Sequence, residues 1–318
     1  MFKSGTRRLF FRLLFLLLLG VGFVIAWHRL RFDGEAFLET LRQFGPTSLG
    51  TGLVIVLVQI AFQISRLWVL CPPTVGVSWR QAARSFTSGQ FVGNFIQGQA
   101  GHAVKVAVLR QPANAQGRQM ATAESTAIVF VDKVMDILML LGLTGLAVLQ
   151  LGLLARSWRY FDHNLLWGIP VAAVAIAILI YVLRRCSGRI QRGLADFKKG
   201  LAVVKVPMQL GQGITMGLGD WFTEGLLLQV LCVAQGFPLS PAQLMVSLFI
   251  LNVGISIPIS VANVGTFEAA LIFALTRFGV PLVQGVAIAT LFHLYQMLGI
   301  ALWMLVMLPK NVKAEMQG

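Results

Sequence analysis

The chain has 318 residues, of which 57% are hydrophobic and only 12% are charged, and its formal net charge is +14. Soluble domains are about 45–50% apolar and about 25% charged, so this composition excludes an ordinary soluble enzyme and a disordered chain. A polytopic helical membrane protein remains. Because the basic residues lie in loops between apolar segments, we expect anionic lipid headgroups as partners and no nucleic acid.

Six apolar stretches are long enough to span a bilayer, which takes about 20 mostly apolar residues. The first, 9–27, follows a basic segment and lacks a small-residue cleavage site, so we interpret it as a retained anchor helix. The other five are 48–65, the apolar part of 121–152, 165–183, 211–235 and 281–308. Two amphipathic segments, 31–44 and 188–205, are expected either to lie on the membrane surface or to pack on the bundle as linker helices.

Two further apolar segments are interrupted, and we predict that they form re-entrant helical hairpins. Residues 85–109 contain glycines at intervals of a few residues, and residues 244–278 contain Pro258 and the sequence Ala262-Asn263-Val264-Gly265. Each is expected to form two half-helices joined by unwound backbone. Unwound backbone is tolerated at membrane depth only where protein or a water-filled cavity receives it, so these hairpins are the predicted walls of a binding site.

The order of these segments repeats along the chain. An offset of 164 residues places the second span on the fifth, the first hairpin on the second and the third span on the sixth, with Gly101 on Gly265. An odd number of spans separates equivalent elements, so the two halves are inverted. We therefore predict one membrane domain, residues 1–318, with an all-α polytopic fold of six transmembrane helices and two re-entrant hairpins in a 3+3 inverted repeat (1–155 and 156–318). Broken helices in inverted repeats are typical of transporters.

The basic residues also predict the orientation. With the N-terminus inside, most of the 26 Lys and Arg residues fall on the cytoplasmic side, including the basic run 184–205. The excess of Lys and Arg in cytoplasmic loops of membrane proteins then places both termini in the cytoplasm. The predicted location is the inner (cytoplasmic) membrane, which the chain crosses several times.

Charged side chains within the spans are candidate functional residues, because each costs about 2.5–3.5 kcal/mol to insert and needs partners or water. Asp132 and Asp136 share one helix face beside Lys133, and Asp220 and Glu224 have the same spacing. Each pair is expected either to contact a lipid headgroup or relay a cation, or to form interhelical ion pairs that fix the packing.

Four other residues stand at special positions. Glu268 follows the break at Gly265, in the first turn of a half-helix, where a carboxylate is either functional or a cap. His102 holds the equivalent place in the first hairpin and His293 lies in the sixth span, so each is either a structural residue or a group that changes charge near neutral pH. Arg66 ends the second span, and we expect its side chain to extend to the membrane interface.

The first interrupted segment also carries a recognisable motif. Residues 89–105, GQFVGNFIQGQAGHAVK, are similar to the pattern Asn, two apolar residues, Pro-Gly-x-x-Gly-Asp/Glu and then a basic residue. Gln97 replaces the proline and His102 replaces the acid, whereas Lys105 keeps the basic position.

Two further motifs follow in the same order. Residues 131–136, VDKVMD, resemble an acid-basic-Val-x-Asp element, and residues 257–268, IPISVANVGTFE, resemble Pro-x-x-Pro-Gly-Gly-x-Gly-x-x-Glu with Val261 and Ala262 in place of Pro-Gly. By these motifs the chain resembles the lysylphosphatidylglycerol synthase transmembrane family over roughly residues 45–308.

The resemblance implies a flippase-like membrane region, which in that family occurs alone or fused to an aminoacyl-transferase domain. We expect a stand-alone member without the transferase domain, and therefore neither a synthase nor another enzyme. No catalytic residue, metal ligand or cofactor is expected. The predicted lipid-binding residues are Asn94, Gln97, His102, Lys105, Arg110, Asp132, Lys133, Asp136, Asp220, Glu224, Asn263, Glu268 and His293.

The predicted function is a transporter that moves an anionic phospholipid or a polyprenyl-phosphate lipid between leaflets. Two alternatives stay open: an integral membrane lipid-modifying enzyme, which the missing HExxH, GxSxG and P-loop patterns disfavour, and a non-catalytic membrane partner of a glycosyltransferase. A homo-oligomer or a separate lipid- or glycosyl-transferase is left open as a further partner. Cys71, Cys186 and Cys232 are far apart and are expected to be buried small residues.

Overall fold

The computed structural model describes residues 34–95, 98–111, 120–152, 201, 206–256 and 263–307. Within these ranges the protein contains nine α-helices, one short 3-10 turn and no strand. Several predictions lie outside the described residues. They concern the first span, the fourth span, Cys186, nearly all of the basic run 184–205, Gln97 and Pro258.

Proline and a capping box mark several helix starts. Pro46, Pro207 and Pro241 each stand in the first turn of a helix, where the missing N–H would have no intrahelical partner in any case. The Ser240 side chain caps the third of these helices together with Gln243. The helices are α1 (Gly34–Arg42), α2 (Pro46–Val69), α3 (Trp79–Phe95), α4 (Gly98–Leu109), α5 (Thr122–Gln150), α6 (Pro207–Ala234), α7 (Pro241–Ile255), α8 (Thr266–Arg277) and α9 (Leu282–Met307).

The four long helices α2, α5, α6 and α9 coincide with the predicted second, third, fifth and sixth spans. Among the described residues, α2 and α9 are the two helices that are both long and apolar enough to cross a membrane by length and composition. α5 and α6 have 29 and 28 residues and carry the charged residues singled out above. The all-helical expectation is confirmed for this part of the chain, whereas the number of membrane crossings stays a prediction.

Both interrupted segments form pairs of packed helices, α3 with α4 and α7 with α8. The first pair is separated by residues 96–97 and the second by the segment that ends at Gly265. Asn263 and Gly265 adopt left-handed φ values of 57° and 85° just before α8 begins, a conformation that glycine adopts without strain. That each hairpin enters and leaves by the same membrane face stays a prediction.

The α3–α4 pair is held at close range by glycines. A Cβ atom at Gly89 would lie 2.8 Å from the Gly101 carbonyl oxygen and from the Lys105 Cβ, and one at Gly101 would overlap the Gly89 carbonyl and lie 2.9 Å from the Gly93 Cα. The neighbouring atoms are backbone atoms and one Cβ, none of which can rotate away. The glycine spacing noted in the sequence therefore sets how closely the two half-helices approach.

Gly101→Ala is expected to destabilise the protein, because its methyl group would push α4 away from α3. Overpacking typically costs 1–3 kcal/mol. Gly142→Ala is the matched control, since Gly142 is also helical but a Cβ there meets nothing within 4 Å. Replacing a helix-interior glycine of this kind stabilises by about 0.5–1 kcal/mol. Thermal unfolding in detergent would compare them, and equal melting temperatures would contradict the close packing.

The other contacts between helices follow the repeat predicted from the sequence. α2 packs on α6 at the centre, where Ile60, Ile64, Leu227 and Leu228 are fully buried. α5 packs on α7 and α9 packs on α3; α4 packs on α5 and α8 packs on α9. The 164-residue offset relates α2 to α6, α3 to α7, α4 to α8 and α5 to α9. The contact between α5 and α7 therefore corresponds to that between α9 and α3, and the contact between α4 and α5 corresponds to that between α8 and α9.

Candidate functional site

A buried arginine lies at the junction of α2, α5 and α6. Arg66 is only 4% exposed, and its Nε donates to Asp132 Oδ1 at 2.8 Å. Its Nη1 lies 3.2 Å from Asp136 Oδ1 and 3.3 Å from Asp220 Oδ2. The expectation that Arg66 extends to the interface is wrong, because three carboxylates inside the bundle bind the guanidinium instead.

Two lysines and a glutamine complete this group. Lys105 on α4 is buried, with its Nζ 3.9 Å from Asp132 Oδ2 and 4.4 Å from the centre of the Phe86 ring. Lys133 Nζ lies 2.9 Å from Asp136 Oδ2, and Gln63 Nε2 donates to Asp220 Oδ1 at 2.9 Å. Each aspartate therefore has a cationic partner. We call Arg66, Lys105, Asp132, Lys133, Asp136 and Asp220 the Arg66 cluster.

An apolar groove with basic side chains runs between α4 and α5 beside this cluster. Its volume is about 560 Å³, within the range of about 300–1,000 Å³ usual for ligand sites. Val106, Val129 and Phe130 are among its apolar lining residues. Its basic lining residues are His102, Arg110 and Lys133.

The three basic residues differ in how they are engaged. Lys133 belongs to both the groove and the Arg66 cluster, so the two are contiguous. His102 is exposed on α4. The buried Nε of Arg110 has no hydrogen-bond partner among the described residues. The groove thus offers an apolar wall together with donors for an anion.

A carboxylate on α8 and an imidazole on α9 are in direct contact. Glu268 Oε1 lies 2.7 Å from His293 Nδ1, and Glu268 Oε2 accepts from the Gly265 N–H at 2.7 Å. The His293 ring stacks on Phe267, with centroids 4.2 Å apart and an angle of 11° between the rings. Both oxygens of Glu268 therefore have donors, and the carboxylate holds the start of α8 against α9.

The sequence also matches a known family. The family described as the lysylphosphatidylglycerol synthase TM region matches residues 10–303. The chain belongs to this family. It is therefore a membrane protein of lipid-related function, and the suspected resemblance is confirmed. No curated protein and no solved structure gives a significant match.

In this family member, polar residues that sequence reasoning passed over connect α9 to α2. Gln296 Nε2 on α9 donates to Gln59 Oε1 on α2 at 3.0 Å, and Gln59 is only 1% exposed. Gln59 and Gln63 stand one helical turn apart on α2, and Gln296 stands one turn from His293 on α9. In the sequence, the signal for these residues is amide side chains at helical spacing within apolar spans. Neither these glutamines nor Arg66 were among the predicted site residues.

The other predicted site residues have fewer contacts. Glu224 is half-buried one turn beyond Asp220, and none of the ion pairs found among the described residues includes it. Asn94 is half-buried in the last turn of α3. The Asn263 carbonyl accepts from Thr266 Oγ1 at 3.0 Å. None of the three lines the groove between α4 and α5.

The two cysteines in the described part of the chain are free and buried, as expected. Burial, with a smaller contribution from the nearby Asp132 carboxylate, raises the pKa of the Cys71 thiol, which follows the end of α2, to about 12. A thiol of this kind stays protonated at neutral pH and is a poor nucleophile.

Proposed function

We propose that the protein is a flippase that moves an anionic or phosphate-bearing lipid, either a phospholipid or a polyprenyl-linked one, between the leaflets of the cytoplasmic membrane. The observation that supports this most is the groove between α4 and α5. It combines apolar walls with Arg110, His102 and Lys133, which is the chemistry that a lipid with a phosphate headgroup requires.

Phosphate binding in the groove would reach the Arg66 cluster through Lys133. The Lys133 side chain is 49% exposed, and its ammonium group lies 2.9 Å from Asp136, which in turn contacts Arg66. A phosphate that draws Lys133 towards the groove weakens its pairing with Asp136. The bundle therefore contains a route by which headgroup occupancy changes the ion pairs between α2, α5 and α6.

The proposal includes the inverted-repeat architecture, both termini in the cytoplasm and no chemical step. The paired packing of equivalent elements supports the repeat. Engagement of Asp132, Asp136 and Asp220 by Arg66 argues against their use as general acids or bases. An integral membrane enzyme and a non-catalytic partner of a glycosyltransferase are the alternatives that an experiment has to separate from a flippase.

We expect purified protein in liposomes to move fluorescent NBD-phosphatidylglycerol from the inner to the outer leaflet, as measured by quenching with dithionite. Arg110→Gln combined with Lys133→Gln should slow this movement at least tenfold. The reason is that hydrogen bonds to charged groups contribute about 1.5–3 kcal/mol each and every 1.4 kcal/mol is a factor of ten. Arg80→Gln, an exposed basic residue outside the groove, is the matched control.

Two outcomes would contradict the proposal. One is movement of NBD-phosphatidylglycerol at the rate of protein-free liposomes. The other is a covalently altered lipid in the mass spectrum of the reconstituted sample, which would indicate an enzyme. A double variant that moves the lipid as fast as Arg80→Gln would retain the flippase but exclude this groove as its binding site.

A further inference from the structure

We propose that the Glu268–His293 pair is the proton site that couples lipid movement to a proton gradient, and that the Gln296–Gln59 bridge links this site to the Arg66 cluster. The inference rests on the proposed transport function and names the ion that drives it.

The distance between the paired atoms supports a proton as the coupling ion. Glu268 Oε1 and His293 Nδ1 are 2.7 Å apart, which is a hydrogen-bond length and places a hydrogen between them. An imidazole that donates through Nδ1 can take up one further proton at Nε2.

The surroundings hold the pair in place and leave it open to protons. Phe267 stacks on the imidazole, and the Gly265 N–H binds the second carboxylate oxygen. The side chains of His293 and Glu268 are 8% and 23% exposed, so the carboxylate is reachable from outside the core. Protonation at Nε2 turns the neutral imidazole into an imidazolium, so that both partners of the hydrogen bond carry a charge and attract each other more strongly. Proton binding therefore tightens the contact between α8 and α9.

A series of polar side chains leads from the Glu268–His293 pair to the Arg66 cluster. One turn along α9 from His293, Gln296 donates to Gln59. One turn along α2 from Gln59, Gln63 donates to Asp220, which also accepts a hydrogen bond from Arg66. Movement of α9 against α8 is thus carried across the bundle core to the ion pairs beside the lipid groove.

Several other ionisable groups on the packed helices have partners away from the Glu268–His293 pair. α7 carries none, Arg277 on α8 lies over Phe273, and the Tyr295 hydroxyl donates to the Leu49 carbonyl. Arg84 on α3 donates to the Met307 carbonyl. The rest on the helices packed against α8 and α9 are Glu35, Glu39 and Arg42 of α1, Arg66 of α2, Arg80 of α3, and Asp220, Glu224 and Cys232 of α6.

The first test measures protonation directly, without transport. In detergent-solubilised protein labelled with ¹⁵N-histidine, the resonances missing from His293→Gln identify His293. We expect these resonances to change when the pH of the sample is varied, because the inferred site must take up and release a proton. Glu268→Gln should alter this change, because it removes the charged partner of the imidazole. An imidazole that keeps one protonation state at every pH at which the protein stays folded would overturn the inference.

The second test measures coupling in liposomes with NBD-phosphatidylglycerol and a pH difference of one unit. Obligatory coupling to one proton gives up to about tenfold accumulation in one leaflet, since one pH unit per proton is about 1.4 kcal/mol. His293→Gln should lose the accumulation, and Gln296→Met should lose it while the ¹⁵N resonances of His293 still change with pH. Arg277→Gln is the control and should accumulate lipid like the wild type.

The outcomes separate the inference from the proposed function. Wild-type protein that equilibrates the lipid but ignores the pH difference would overturn the proton site and leave the flippase intact. Wild-type protein that moves no lipid would overturn both. Accumulation by Gln296→Met at the wild-type level would exclude the glutamine bridge as the link.

Discussion

Arg66→Met is expected to lower the free energy of unfolding by about 3–5 kcal/mol, the usual cost of removing one partner from a buried ion pair. Arg66 is 4% exposed and contacts Asp132, Asp136 and Asp220. Methionine fills much of the same volume but leaves three carboxylates close together with one fewer positive charge. Thermal or denaturant unfolding in detergent measures the loss.

Two variants make this prediction specific to the buried charge. Arg42→Met removes an exposed arginine from α1 and should change stability by no more than about 0.5 kcal/mol. Arg66→Met combined with Asp220→Leu should be more stable than Arg66→Met alone, because the pair shares one interaction and the two losses are not additive. A melting temperature of Arg66→Met equal to that of Arg42→Met would contradict a structural role for the cluster.

Arg66 also shows why part of the site escaped prediction. An arginine in the last turns of an apolar helix usually extends to the membrane interface. Nothing adjacent to Arg66 in the sequence indicates that carboxylates inside the bundle bind it instead. Its partners Asp132 and Asp220 lie 66 and 154 residues away. Asp132 and Asp220 were predicted as site residues from the sequence, with interhelical ion pairs as one interpretation. That Arg66 is the cation between them follows only from the packing of α2, α5 and α6.

The helix pairs α3–α4 and α7–α8 were more predictable because their signal is local. The close approach of α3 and α4 leaves no room for a Cβ atom at Gly89 or Gly101, and the left-handed backbone at Gly265 marks the start of α8. The break at Gly265, which is also a local signal, identified Glu268 as a residue in the first turn of a helix. Its partner His293 lies on the next helix, and the pairing needed the three-dimensional arrangement.

Glu268→Gln is expected to reduce lipid translocation to the rate of protein-free liposomes while the melting temperature stays close to that of the wild type. The glutamine Oε1 can still accept from the Gly265 N–H, and its Nε2 can donate to His293 Nδ1. These replace both hydrogen bonds of the carboxylate, each 2.7 Å long. What the variant loses is the negative charge that stabilises a protonated imidazole.

Glu268→Leu provides the structural comparison, because it removes both hydrogen bonds as well as the charge. Because hydrogen bonds to charged groups contribute about 1.5–3 kcal/mol each, the loss of the two bonds should lower its stability by about 3 kcal/mol or more. If Glu268 and His293 form one proton site, the variant Glu268→Gln/His293→Gln should transport no worse than either single variant. Full translocation by Glu268→Gln would remove the carboxylate from the mechanism, and failure of that variant to fold would assign Glu268 to holding α8 against α9.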